Sequence, residues 1–166
     1  LSVSSVLFIG AAYLASERHV GDLHAGAPEL RPEARFNRYI TEITKRYNVT
    51  TDVLVVIAEA TASGGINPCR STYTVEAQNN LHWYLENIPG ITKVISLSSV
   101  AKRALSGYAE GNLKWTYLPH DERALAFATS VVDPTTGLLN EACSILPIYV
   151  FTEDHKATTI STVIDS

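Results

Sequence analysis

The residues able to carry chemistry are few and scattered. There are five histidines, His19, His24, His82, His120 and His155, and two cysteines, Cys69 and Cys143. Asp22-Leu23-His24 and Asp154-His155 bring a carboxylate beside an imidazole, the pairing a metal site or a general base would use. Neither has the i, i+4 spacing that sets two ligands on one helix face, so no metal site is expected. No Gly-x-Ser-x-Gly occurs, so a nucleophile elbow is absent. Gly64-Gly65 follows an apolar run, but no Gly-rich helix start and no Lys-Ser/Thr pair comes after it, and no cofactor is expected. Glu59 lies inside an apolar run, where a buried carboxylate would suit a proton relay. Its place near the end of that run favours a solvated side chain. Asn48-Val49-Thr50 matches a glycosylation sequon.

The cysteines leave two readings open. Two lone thiols cannot build a tetrahedral zinc site. In an oxidising compartment Cys69 and Cys143 would form a disulfide; otherwise they are two buried thiols. Both sit where a loop meets an element, Cys69 after Asn67-Pro68 and Cys143 ahead of the run SILPIYVFT. Cys143 working with a distant histidine would resemble a cysteine hydrolase. A Cys69–Cys143 bridge accounts for both thiols more simply, and no catalytic residue is expected.

The elements that must position these groups come from composition and pattern. The 166 residues are 46% hydrophobic and 18% charged, which fits one folded domain and excludes a disordered chain. A net charge of −4 without any basic run argues against a nucleic-acid partner. No methionine occurs, which suggests a segment excised from something longer. Residues 1–15, LSVSSVLFIGAAYLA, carry no charge but fall short of the ~20 apolar residues of a membrane span. They read as the end of a membrane helix or as a buried element of the fold. The chain therefore divides into an apolar segment, 1–16, and a domain, 17–166.

A polar, turn-rich stretch, Glu17 to Pro32, leads into a helix with Phe36, Ile40, Ile43 and Tyr47 on one face. Thr51 to Ala60 is uniformly apolar and predicts a buried central strand. A helix follows from Tyr73 to Ile88, with Leu81, Tyr84, Leu85 and Ile88 buried, and Pro89-Gly90 ends it. Ile91 to Leu97 reads as a half-buried strand, and Ser98 or Ser99 caps a helix to Tyr108. Pro119 starts another helix over Ala124 to Val132. Ser144 to Thr152 is the third strand, and its Pro147 favours an edge or a bulge. Asp154 caps a last helix. Trp83, Tyr84, Tyr108, Trp115 and Tyr117 either line a cleft for a lipid-like ligand or pack within the core and linkers. Strands alternating with helices predict an α+β, ferredoxin-like split β-α-β sheet with extra helices and one strand missing.

Several segments taken together carry a resemblance. They are Val20 to Pro32 (VGDLHAGAPELRP), Arg35-Phe36-Asn37-Arg38, Thr51-Asp52-Val53, Glu110 to Trp115 (EGNLKW), and Pro147 to Phe151 with Asp154-His155-Lys156. The chain resembles predicted exporters of the resistance–nodulation–division (RND) superfamily, in the branch of the mycobacterial-membrane-protein-large (MMPL) and Patched-like transporters. The resemblance spans about Val20 to Ala157 and is most specific in Val20 to Pro32. It implies a porter domain on the periplasmic side of a bacterial inner membrane, the second periplasmic loop of a proton-driven exporter. The partners implied are the remaining porter subdomains and transmembrane helices, an oligomer of the full transporter, and a hydrophobic or amphiphilic substrate. The proton-relay acids of such exporters lie in membrane helices, so no coupling residue carries over. Two readings stand beside it: a stand-alone binding or interaction module, and a hydrolase using Cys143 or a His/Asp pair.

Overall fold

The protein is described by a computed structural model covering residues 2–16, 31, 33–47, 50, 52–61, 65–154 and 156–165. His19, His24, His155, the sequon residues Asn48 and Val49, and all of Val20 to Pro32 except Arg31 lie outside the described residues. What is described is a mixed α+β chain with a three-stranded antiparallel sheet and six helices.

Helix α1, Ser2–Ser16, has no charged residue in either end turn. At about 1.5 Å per residue it is about 22 Å long. Its large side chains are open to solvent on every side, from Val3 and Phe8 to Tyr13 and Leu14. No helix among the described residues is long and apolar enough to cross a membrane. Helix α2, Arg35–Arg46, starts from the turn in which the Ala34 amide donates to the Arg31 carbonyl.

The sheet contains β1, Val53–Glu59; β2, Ile91–Ile95; and β3, Ile145–Thr152. Its order is β1-β3-β2. Both outer strands run antiparallel to β3, so they point the same way with β3 between them. The uniformly apolar run at 53–59 thus forms an edge strand, not the expected central one. Its composition misleads because only Leu54, Val56 and Ala58 turn toward the helices, while Val53, Val55 and Ile57 are exposed. The central strand is β3, whose Leu146, Ile148, Val150 and Thr152 are at most 1% exposed.

Pro147 lies in this central strand for a local reason. The Thr152 amide donates to Asp52 and the Ala60 amide to Ser144, so even-numbered β3 residues bond toward β1. Odd-numbered residues turn their nitrogens toward β2, and β2 pairing ends at Tyr149. The missing N–H of Pro147 therefore falls where no partner strand exists, and no ladder bond is lost.

Helix α3, Thr72–Glu86, covers the inner face of the sheet with Val75, Gln78, His82 and Leu85. The expected stripe was displaced: Tyr84 is exposed, and two polar side chains take buried places. Helix α4, Leu97–Tyr108, starts earlier than predicted because Ser96 is its N-cap, in a reciprocal capping box with Ser99. Helix α5, Glu122–Ser130, is capped by Asp121, which accepts from the Arg123 and Ala124 amides. Gly90, at φ +88, makes the turn into β2, and a Cβ there would press on Thr159 at 3.3 Å. Helix α6, Ala157–Asp165, packs Val163 against the core cluster of Leu85, Ile88, Val94, Ile148 and Val150. Burial draws the Asp154 carboxyl upward, but hydrogen bonds from Lys156 and Thr159 outweigh it and hold the group below its ordinary range.

Candidate functional site

Cys69 and Cys143 are bonded, with Cα atoms 5.6 Å apart. Asn67 sets the first: its side chain accepts from the Cys69 amide at 2.9 Å. Cys143 stands at φ +55, in a turn where its amide donates to Asn140. The bridge joins a cluster of Leu97, Val132, Leu138, Leu139 and Leu146. In this bonded and buried form the Cys143 sulfur is not free to act as a nucleophile.

Next to the bridge, a groove of about 550 Å³ opens between the end of β1 and α3. Ala58 of β1 and Ala60 just beyond it, Leu146 of β3, and Ala77 and Leu81 of α3 give it an apolar lining. Thr61, Ser71, Thr74 and Glu59 gather polar groups on the same groove, and Tyr73 stands beside them, 83% exposed. Such a combination, mostly apolar with a few polar groups, suits a ligand with a hydrocarbon part and a polar head. Glu59 is exposed, as its place near the strand end predicted.

Behind the groove lies a buried polar cluster that sequence reasoning missed. Gln78, 3% exposed, accepts from the Ser98 amide at 3.1 Å and donates to the Leu146 carbonyl at 3.5 Å. His82 Nδ1 lies 3.0 Å from Ser96 Oγ, which lies 2.8 Å from Ser98 Oγ. His82 Nε2 faces Glu86 at 3.5 Å. The bonds are mutually consistent if Nε2 carries the proton and Nδ1 accepts from Ser96. The Ser-His-Glu sequence of contacts has the form of a hydrolytic triad, yet Ser96 is fully buried and its oxygen also caps α4 by accepting from Ser99. The only trace of this cluster in the sequence is the serine run at 96–99, which reads equally as a cap.

Burial lowers the His82 pKa below 6.5; Glu86 opposes this, while Lys102 and Arg103 add to it. The folded state thus holds a neutral imidazole that the unfolded chain would protonate. Stability contributed this way is complete above about pH 6.5 and is lost as pH falls toward the folded pKa. Urea midpoints measured between about pH 5 and 8 are expected to drop on the acid side. A His82→Gln chain should show a shallower acid slope; an unchanged slope would refute the assignment.

The aromatic residues of the middle of the chain do not pack inside it. Tyr108 and Phe127 stack at 4.8 Å and Trp115 and Tyr117 at 6.1 Å, all on the surface of α4, α5 and the 113–117 turn. They lie apart from the groove lining, which takes only Tyr73 of the exposed rings. His120 lines a smaller cavity of about 190 Å³ beside Val75 and Leu125. No family model, curated protein or solved structure matches the chain.

Proposed function

We propose that the chain is an extracytoplasmic porter domain of an RND-type exporter in the MMPL and Patched-like branch, non-catalytic itself, whose groove forms part of the path for an amphiphilic substrate. The observation that carries this reading is α1: an uncharged helix exposed on all sides, preceding a disulfide-bonded α+β domain. A helix apolar all round is suited to lipid or to other helices, not to water. In this reading α1 is the periplasmic end of a membrane helix, and the disulfide belongs to an oxidising compartment.

The strand order supports the finer fold. Two like-directed strands joined through α3, with β3 between them, form a split β-α-β unit. The order β1-β3-β2 is that of three strands of a ferredoxin-like sheet, and the fourth place is the edge of β1, which has no partner strand among the described residues. Val53, Val55 and Ile57 on the outer face, with Ile145, give the remaining porter subdomains an apolar surface to meet. The stand-alone module predicted a complete four-stranded sheet and an N-terminal segment packed into the domain; among the described residues the sheet has three strands and α1 is exposed.

The groove reading is tested by titrating the chain with a fluorescent amphiphile such as N-phenyl-1-naphthylamine and displacing it with a fatty acid. Ala77 is exposed on α3 and lines the groove, so Ala77→Trp should fill the site without disturbing the core. The expected loss of affinity is about tenfold, as blocking a site of this size removes at least ~1.4 kcal/mol of contacts. Equal binding by the variant would show that the groove is not the site.

A further inference from the structure

We propose that α2 is a docking helix for an anionic lipid bilayer surface, lying in the headgroup plane with its apolar face inward. At 3.6 residues per turn, Phe36, Tyr39, Ile40 and Ile43 fall within one arc of about 100°, and Tyr47 follows as the extended residue that ends the helix. Phe36, Tyr39, Ile43 and Tyr47 are 46–64% exposed, and Ile40 is half-buried. The remainder of the helix is basic. Arg35, Arg38, Lys45 and Arg46 face a single carboxylate, Glu42, which leaves +3 on this element in a chain of net charge −4.

The geometry separates this helix from an ordinary amphipathic one awaiting a protein core. Asn37, a buried polar side chain of this helix, donates to the Arg31 carbonyl at 3.1 Å on the side away from Tyr39, so the anchored face and the apolar arc differ. Arg35 and Arg46 border the arc. The Arg35 guanidinium sits 5.4 Å from the Tyr39 ring and donates to its hydroxyl at 3.1 Å. Arg46 reaches Glu42 at 3.3 Å with its side chain 73% exposed. Long cationic side chains beside an apolar stripe, with Tyr39 at its margin, match the layering of headgroups over acyl chains. A protein groove would meet the same arc without needing four cations; an anionic surface uses both faces. The uncharged, exposed α1 is a second membrane-seeking element earlier in the same chain.

The test is co-sedimentation of the full chain with phosphatidylcholine vesicles, with and without phosphatidylglycerol. It is run on the wild-type chain and on one carrying Leu7→Asp and Ile9→Asp, which blunts insertion of α1. In both, binding to anionic vesicles should exceed binding to neutral ones by roughly tenfold or more, and should fall at about 0.5 M salt. Replacing Arg35, Arg38, Lys45 and Arg46 by Gln, or Phe36 and Ile43 by Ser, should abolish that preference with the thermal midpoint unchanged. Equal partition onto both vesicle types, or α2 variants that bind like the wild type, would overturn the proposal. So would a sedimentation-velocity dimer that dissolves on the Phe36→Ser/Ile43→Ser change without vesicle binding, because the occupant would then be a second copy. Amphiphile titration of the groove is independent of α2, so failure of one reading leaves the other distinguishable.

Discussion

Replacing Cys69 and Cys143 together by alanine is expected to lower the free energy of unfolding by about 4 kcal/mol, the chain-entropy value for a loop of this length. The bonded residues are 74 positions apart, and the loop between them holds α3, β2, α4 and α5. Without the bond, the turn carrying Cys143 must hold φ +55 by itself and the short 3-10 helix at Pro68–Arg70 loses its tie to the sheet. Thr129 also depends on this arrangement, since its hydroxyl lies 3.3 Å from the Cys69 carbonyl as well as 3.0 Å from Leu125. A drop of that size should lower the thermal midpoint by about 10 °C in a domain of this length. Equilibrium denaturation of the oxidised chain and the double variant checks it. A loss below about 1 kcal/mol would mean that the bond joins parts already held together by packing.

Ile148→Ala should cost about 3–4 kcal/mol, the range for a large aliphatic side chain removed from a packed core. Ile148 is fully buried and packs with Leu85, Ile88, Val94 and Val150 between the sheet and α3. Ile57→Ala is the matched control. Ile57 lies on the adjacent strand but on the other face and is 62% exposed, so its truncation should cost less than about 1 kcal/mol. Urea denaturation of the two variants measures the difference directly. Comparable losses would mean that the outer face of the sheet is also covered.

This contrast marks where the sequence was legible and where it was not. The order of helices and strands followed from periodicity, and Pro89-Gly90 marked a real break. The place of each strand did not follow. The run VLVVIAE carries aliphatic residues on both faces, so its pattern says "buried on both sides" although β1 is an edge with one open face. Pro147 pointed to an edge, and it does occupy an unpaired position, but inside the central strand, because β2 is too short to reach it. Only the pairing register reveals this.

The candidate site was legible in still smaller part. The two cysteines were readable as a pair because no other thiol competes. The groove was not, because Ala58, Ala60 and Ala77 have no distinctive chemistry; their small size leaves space only once α3 crosses β1. The buried cluster was hidden for another reason. Gln78 and His82 interrupt the apolar stripe of α3, and nothing local shows that Ser96 and Ser98 of another segment come to meet them. The aromatic residues were readable only in part: composition allowed a cleft, the core or the linkers, and the structure puts them on the surface, with Trp115 and Tyr117 paired in the 113–117 linker.

We propose that an amphiphile occupies the groove between β1 and α3. Irradiating the chain with a diazirine-bearing fatty acid and mapping the adducts by mass spectrometry tests it most directly. Adducts are expected on residues 58–61 and 71–81, and should vanish from both segments in Ala77→Trp. Labelling concentrated instead on Tyr108, Trp115 and Phe127, or spread evenly over the surface, would contradict the account.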